Sequence, residues 1–200
     1  MRSLTHSSEN GQIMKQDRRQ FIKNAGLGLL AFNVGGVATM LSPAEARSQG
    51  IGYQVLNRAE VSLLEALGET LVPTSAEAGI AYFVDFQLGS SIRETKLAVR
   101  YLGLDMSYPE FYRLGLASVD KSSWTSFGRP FVKLAEKERV ELVRRMMKDK
   151  LGDWDGAPAS KFYYAVKSDG ADVVYGTQKG IERLGVPYMP HIVPPSDWGE

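Results

Sequence analysis

Few residues in this chain could do chemistry, and none is arranged as a recognisable catalytic set. There is no cysteine among the 200 residues. That removes disulfides, thiolate metal sites, CxxCH haem attachment, iron–sulfur ligation and a lipobox cysteine. Once the N-terminal segment considered below is set aside, His191 is the single histidine. A metal site would then need carboxylates alone, and a Ser-His-Asp relay would have only His191 to use, with no G-x-S-x-G elbow to expose a nucleophile. Asp153 and Asp155 flank Trp154, a carboxylate pair beside an aromatic of the kind that stacks on sugars. The same spacing describes a polar turn with Trp154 folded back on the core, and this plainer assignment is the one adopted. Gly26-Leu27-Gly28-Leu29-Leu30-Ala31 fits the G-x-G-x-x-A dinucleotide fingerprint. No strand precedes it and no acidic residue follows at the right distance, so the match is accidental.

The most informative polar cluster lies near the start. Asp17-Arg18-Arg19-Gln20-Phe21-Ile22-Lys23 sets a paired arginine before an apolar pair and a lysine, and residues 24–44 then carry no charge. That stretch holds Gly26, Gly28, Gly35 and Gly36, with Asn24 and Asn33 inside it. Pro43 and Ala44-Glu45-Ala46 follow, the small-residue A-x-A pattern that a signal peptidase accepts in extended form. The order resembles a twin-arginine translocation signal, whose core is S/T-R-R-x-F-L-K. Asp17 stands in place of Ser/Thr and Ile22 in place of Leu. The resemblance implies export of a folded protein by the Tat translocase, with Arg18, Arg19, Phe21 and Lys23 as the signal and Ala44 and Ala46 at the cleavage site. The expected division is therefore a signal peptide over 1–46, outside the fold, and one domain over 47–200. The alternative is an anchor that is never cut, since the uncharged stretch is nearly long enough to span a bilayer.

Composition bounds the rest. The chain is 44% hydrophobic and 24% charged with a net charge of +1, ordinary for a globular protein. The basic excess sits in the N-terminal segment, so the remainder has no positive field to attract a phosphate backbone, and nucleic-acid binding is unsupported.

The elements that position these residues read as helices. Asn57-Arg58-Ala59-Glu60 is a capping box, and Leu63, Leu64, Leu67 and Leu71 recur at three- and four-residue steps before Pro73. A second helix is predicted over Ile80–Leu88. A third is predicted over Glu94–Leu104, with Leu97, Tyr101 and Leu104 on one face. Pro109 opens a fourth running to about Ser126, and Gly128-Arg129-Pro130 is a turn. Leu134–Lys150 forms a fifth helix, and Ala159–Val174 a sixth whose last turn Gly170 should weaken. From Gly176 onward Gly and Pro mark an extended tail. No period-2 alternation stands out in the 47–200 region. The expectation is all-α: one domain of about six helices.

Phe162, Tyr163 and Tyr164 put aromatic bulk on more than one face of the last helix. Some of it belongs to the core, and some is available for a partner, because tyrosine and tryptophan bury much area while keeping a polar tip. Tyr163, Tyr164, Tyr175, Tyr188, His191 and Trp198 are the candidate interface residues.

From about Leu56 to His191 the chain resembles the gluconate 2-dehydrogenase subunit 3 family. The likeness is carried by Leu56-Asn57-Arg58-Ala59-Glu60 with the leucine stripe, Leu71-Val72-Pro73, Gly79 with Phe83-Val84-Asp85, and Phe127-Gly128 with Phe131 and Leu134. Asp172-Val173-Val174-Tyr175-Gly176 and Gly185-Val186-Pro187 complete it. Where the family often has Gly-Gly-Asn and a Trp, Gly176-Thr177-Gln178 and Ile181 stand here. The resemblance implies a small subunit that is not an enzyme by itself and holds no cofactor. Its FAD-dependent large partner would oxidise a sugar or alcohol, and a multihaem cytochrome c with haem c would accept the electrons. It also implies that the small subunit's signal takes a leaderless flavoprotein to the periplasm, where the complex associates with the membrane. The alternative is a free-standing periplasmic helical protein that binds a small ligand or catalyses a reaction of unrecognised type.

Overall fold

A computed structural model describes residues 28–177, 180 and 184–185. The arginine-pair motif (Arg18, Arg19, Phe21 and Lys23) and three of the candidate interface residues (Tyr188, His191 and Trp198) lie outside the described residues.

Helix α2 (Arg58–Leu71) begins where the sequence places it. The Asn57 side chain accepts from the backbone N–H groups of Ala59 (2.9 Å) and Glu60 (3.0 Å), and the Glu60 carboxylate accepts from the Asn57 N–H (2.8 Å). Two orphan donors are thus satisfied reciprocally. Its leucine stripe is buried at Leu63, Leu64 and Leu67. Helix α3 (Ile80–Gly89) is apolar almost all round and buried almost all round, the signature of a central helix. Helix α4 (Tyr108–Phe127) is capped by Ser107, with Pro109 in its first turn, and stops at Gly128 in the left-handed conformation (φ 69°). Helices α5 (Glu136–Met147) and α6 (Ala159–Tyr175) complete the bundle, which is mostly helical as expected.

Helix α6 packs against α2, α3, α4 and α5, and small residues let it come close. A Cβ on Gly115 of α4 would run into the Phe162 ring of α6. A Cβ on Gly170 would lie 3.3 Å from Val72 and 3.4 Å from Ile80. Gly170 is therefore a packing residue within α6, which continues past it to Tyr175, and not the weak point that helix propensity alone predicts.

Three parts of the sequence expectation need correction. No α-helix covers residues 94–104; a short 3-10 turn, Ala98–Tyr101, stands there. Side chains from elsewhere take the backbone donors that a helix would use: Gln87 accepts from Lys96 (2.7 Å) and Asp169 from Ala98 (2.9 Å). Leu97 is buried while Tyr101 points out, 75% exposed. Helix α5 starts at Glu136, two residues after the expected Leu134. A 3-10 turn, Phe131–Lys133, precedes it, and the Glu138 carboxylate accepts from the Ala135 N–H at 2.8 Å.

The third correction concerns residues 30–46, expected to lie outside the fold as part of a leader. Strands β1 (Leu30–Val34) and β2 (Val37–Leu41) form an antiparallel hairpin, with Leu30 opposite Leu41 and Val34 opposite Val37. The two-residue turn is Gly35-Gly36, both at positive φ (59° and 87°), as a primed turn matching the strand twist requires. Helix α1 (Pro43–Ser48) follows and packs on α3. Leu30, Phe32, Leu41 and Ala46 join the hydrophobic core. The uncharged stretch is thus not one continuous span, and no helix among the described residues is long and apolar enough to cross a membrane.

Candidate functional site

Helix α6 sorts its aromatic triplet by face. Phe162 is buried, with ring centroids 5.5 Å from Phe111, 5.9 Å from Tyr112 and 5.9 Å from Trp154. Tyr163 is half-buried at the edge of the core, with the Lys167 ammonium 5.7 Å from its ring centre. Tyr164 points outward, 50% exposed, and Tyr175 is 44% exposed. About three helical turns separate these two, so both lie on one stripe of the helix. Of the six interface candidates, the structure therefore puts Tyr164 and Tyr175 on one surface and Tyr163 at its margin. Tyr101, which periodicity puts on one helix face with Leu97 and Leu104, is the most exposed tyrosine described and lies on the 3-10 turn packed against α6.

A buried polar seam holds that turn on the helix. Asp169 of α6 is fully buried. One carboxyl oxygen accepts from the Ala98 N–H (2.9 Å), and the other accepts a short hydrogen bond from the Tyr112 hydroxyl of α4. Lys161 Nζ donates to the Leu102 carbonyl at 3.2 Å, closing the other end of the seam. Burial pushes the Asp169 carboxyl up to about 7. The hydrogen bonds from Tyr112 and Ala98 oppose this, and nearby Asp172 adds to it. Burial and the facing Asp169 carboxyl also push the Tyr112 phenol well above its ordinary range. Three elements thus converge on one carboxyl with no route to solvent, an arrangement that positions backbone and reaches no substrate. Sequence reading missed Asp169. A lone acidic residue on the apolar side of a helical repeat was the available signal.

A second buried carboxylate does similar work. Asp85 of α3 accepts from the backbone N–H groups of Gln54, Val55 and Leu56, each at 2.8 Å. These are the residues leading into the Asn57 cap, so Asp85 fixes where α2 begins.

The Asp153-Trp154-Asp155 stretch is a polar turn. Trp154 Nε1 donates to the Ala157 carbonyl (2.7 Å), and its ring packs against Phe162. Asp155 pairs with Lys121 (3.3 Å), and Asp153 accepts from the Thr125 hydroxyl (3.3 Å). Elsewhere an open cleft of about 360 Å³ is lined by Asn57, Glu60, Arg113, Asp120, Pro130 and Val132, among others. Its polar groups are already committed: Asn57 and Glu60 to the cap, Arg113 to Glu60 (3.7 Å) and the Val55 carbonyl, and Asp120 to the Phe131 N–H. Among the described residues, no group of three or more His, Asp or Glu is placed to hold a metal ion.

Compared with known families, residues 58–194 match the model described as Gluconate 2-dehydrogenase subunit 3. No curated protein matches the chain, and no solved structure does.

Proposed function

Because the chain belongs to the gluconate 2-dehydrogenase subunit 3 family, subunits of a dehydrogenase complex, we propose that it is the non-catalytic small subunit of a periplasmic flavin-dependent dehydrogenase. In this reading it escorts the FAD-bearing subunit through the Tat translocase and stabilises it after assembly. The oxidation of a sugar or alcohol belongs to that partner, and a haem c cytochrome takes the electrons. The assembled complex sits at the periplasmic side of the membrane.

The observation that carries the proposal is the family match over residues 58–194. Two features of the chain agree with it. The Arg18-Arg19 motif marks a route used by cargo that folds before transport. The outward tyrosines Tyr101, Tyr164 and Tyr175 supply the amphipathic rings that protein interfaces favour. The polar groups of the Asn57–Arg113 cleft are bonded to one another and to backbone, which favours a structural role for that cleft over a ligand site.

Affinity purification of the tagged full chain from its own cell envelope tests the proposal. A stoichiometric yellow flavoprotein in the eluate is the expected result. A chain that purifies alone, while the flavoprotein is exported and active in its absence, overturns the proposal.

A further inference from the structure

The run Ala44-Glu45-Ala46 satisfies a peptidase's preference for small residues, yet the fold winds it into a helix and buries Ala46, leaving Ala44 and Glu45 on the surface. A peptidase needs its substrate extended. Here residues 43–48 are the helix α1. Its start is closed by a capping box: Glu45 N–H donates to Ser42 Oγ (3.2 Å), and the Glu45 carboxylate accepts from the Ser42 N–H (2.7 Å). Ala46 is wholly buried.

The receiving surface is shaped for this helix. Gly79 begins α3 at φ 87°, and a Cβ there would run into the Pro43 carbonyl. Both the conformation and the space require glycine. The hairpin ahead of the helix is docked through one face. Phe32 is buried, its ring centroid 5.3 Å from Phe86 and 6.4 Å from Tyr82. Arg47 reaches Glu65 of α2 at 3.3 Å. A cut after Ala46 would remove β1, β2 and most of α1, and strip the cover from the Tyr82 and Phe86 rings of the central helix.

We infer that residues 30–48 are a permanent part of the folded protein, and that Ala44-Glu45-Ala46 is not a processing site once the chain has folded. The point about export rests on the proposed route, with the signal confined to residues before 30: a chain that folds before it crosses the membrane meets the peptidase with this run already closed. Any removal of the leader must then occur N-terminal to residue 30.

Two measurements on the full-length wild-type chain test this. The first is digestion with a Glu-specific protease and with trypsin, reading cuts after Glu45 and Arg47 by peptide mass. In native buffer both should be slower than in urea by on the order of a hundredfold, because cleavage must await local opening. Comparable native and denatured rates overturn the inference, whether or not the protein is exported. The second is the N-terminus of the protein recovered from the export compartment. A start before residue 30 is expected, and a start at Arg47 overturns the inference. If the chain never leaves the cytoplasm, the export reading alone fails, and the digestion still decides between a docked and a removable segment.

Discussion

Replacing Asp169 with asparagine should flatten the dependence of stability on pH. Burial raises the Asp169 carboxyl from an ordinary 3.8 to about 7 in the folded protein. The folded state therefore keeps a proton that the unfolded chain releases above about pH 4. Stability from this group is fully present below pH 3.8 and declines as pH rises, until the folded carboxyl itself ionises near 7. At roughly 1.4 kcal/mol per unit, the loss between pH 5 and pH 7 is on the order of 2–3 kcal/mol, with little further change to pH 8. The substituted asparagine carries no charge at any of these values. Its amide oxygen can accept from the Ala98 N–H while its NH₂ donates to the Tyr112 hydroxyl oxygen, but the Tyr112 proton then loses its acceptor, so the variant starts lower at pH 5. What should change is the gap: moving from pH 5 to pH 8 should favour Asp169→Asn over wild type by on the order of 2–3 kcal/mol. Asp172, also raised by burial, titrates in both proteins, and only its smaller coupling to Asp169 enters the difference. Urea unfolding followed by circular dichroism at four pH values reads the gap directly. Parallel profiles for the two proteins would refute the assignment of a buried, neutral carboxyl to the seam beneath Tyr101.

Gly115→Ala gains about 0.5–1 kcal/mol of helix propensity but drives a methyl into Phe162, whose ring is hemmed in by Phe111, Tyr112 and Trp154. Overpacking at the upper end of about 1–3 kcal/mol should win, lowering the melting temperature by roughly 5 °C. Gly152→Ala, in open space, should leave it unchanged or slightly raised, and a Gly115→Ala protein melting at or above wild type would contradict the close helix contact. Asp85→Ala strands three backbone donors at the entry to α2 and should cost about 3 kcal/mol in denaturant unfolding. Asp85→Asn, which keeps an oxygen facing Val55 and Leu56, should cost about 1 kcal/mol. Tyr164→Ala with Tyr175→Ala should weaken retention of the flavoprotein on the order of a hundredfold, while changing the subunit's own unfolding free energy by no more than about 0.5 kcal/mol.

What could be read from the sequence is the part set by local rules. The Asn57/Glu60 capping box, the leucine stripe of α2, the Pro109 start of α4 and the Gly128 stop all depend on residues a few positions apart, and the structure has each of them. The misassigned segments answer to distant partners. Residues 94–104 have helical spacing, but Gln87 and Asp169 claim their backbone donors from outside. Gly170 resembles a helix breaker until α6 is laid against Val72 and Ile80. The hairpin was legible in principle: Leu30, Phe32 and Val34 alternate up to a Gly-Gly pair, but the same residues also fit the weakly apolar stretch behind an arginine pair. Among the interface candidates, spacing could say that Tyr164 and Tyr163 face differently, though not which would be left outside. Tyr101 could not be found from spacing, because its outward direction follows from the seam on Asp169.

The escort role is tested most directly by changing Arg18 and Arg19 to lysine in the full chain and asking where the flavin-bearing partner goes. The account predicts that the partner remains in the cytoplasm with this subunit bound to it, and that dehydrogenase activity disappears from the periplasmic face. A partner that reaches the periplasm in normal amounts without this chain's arginine pair would contradict it.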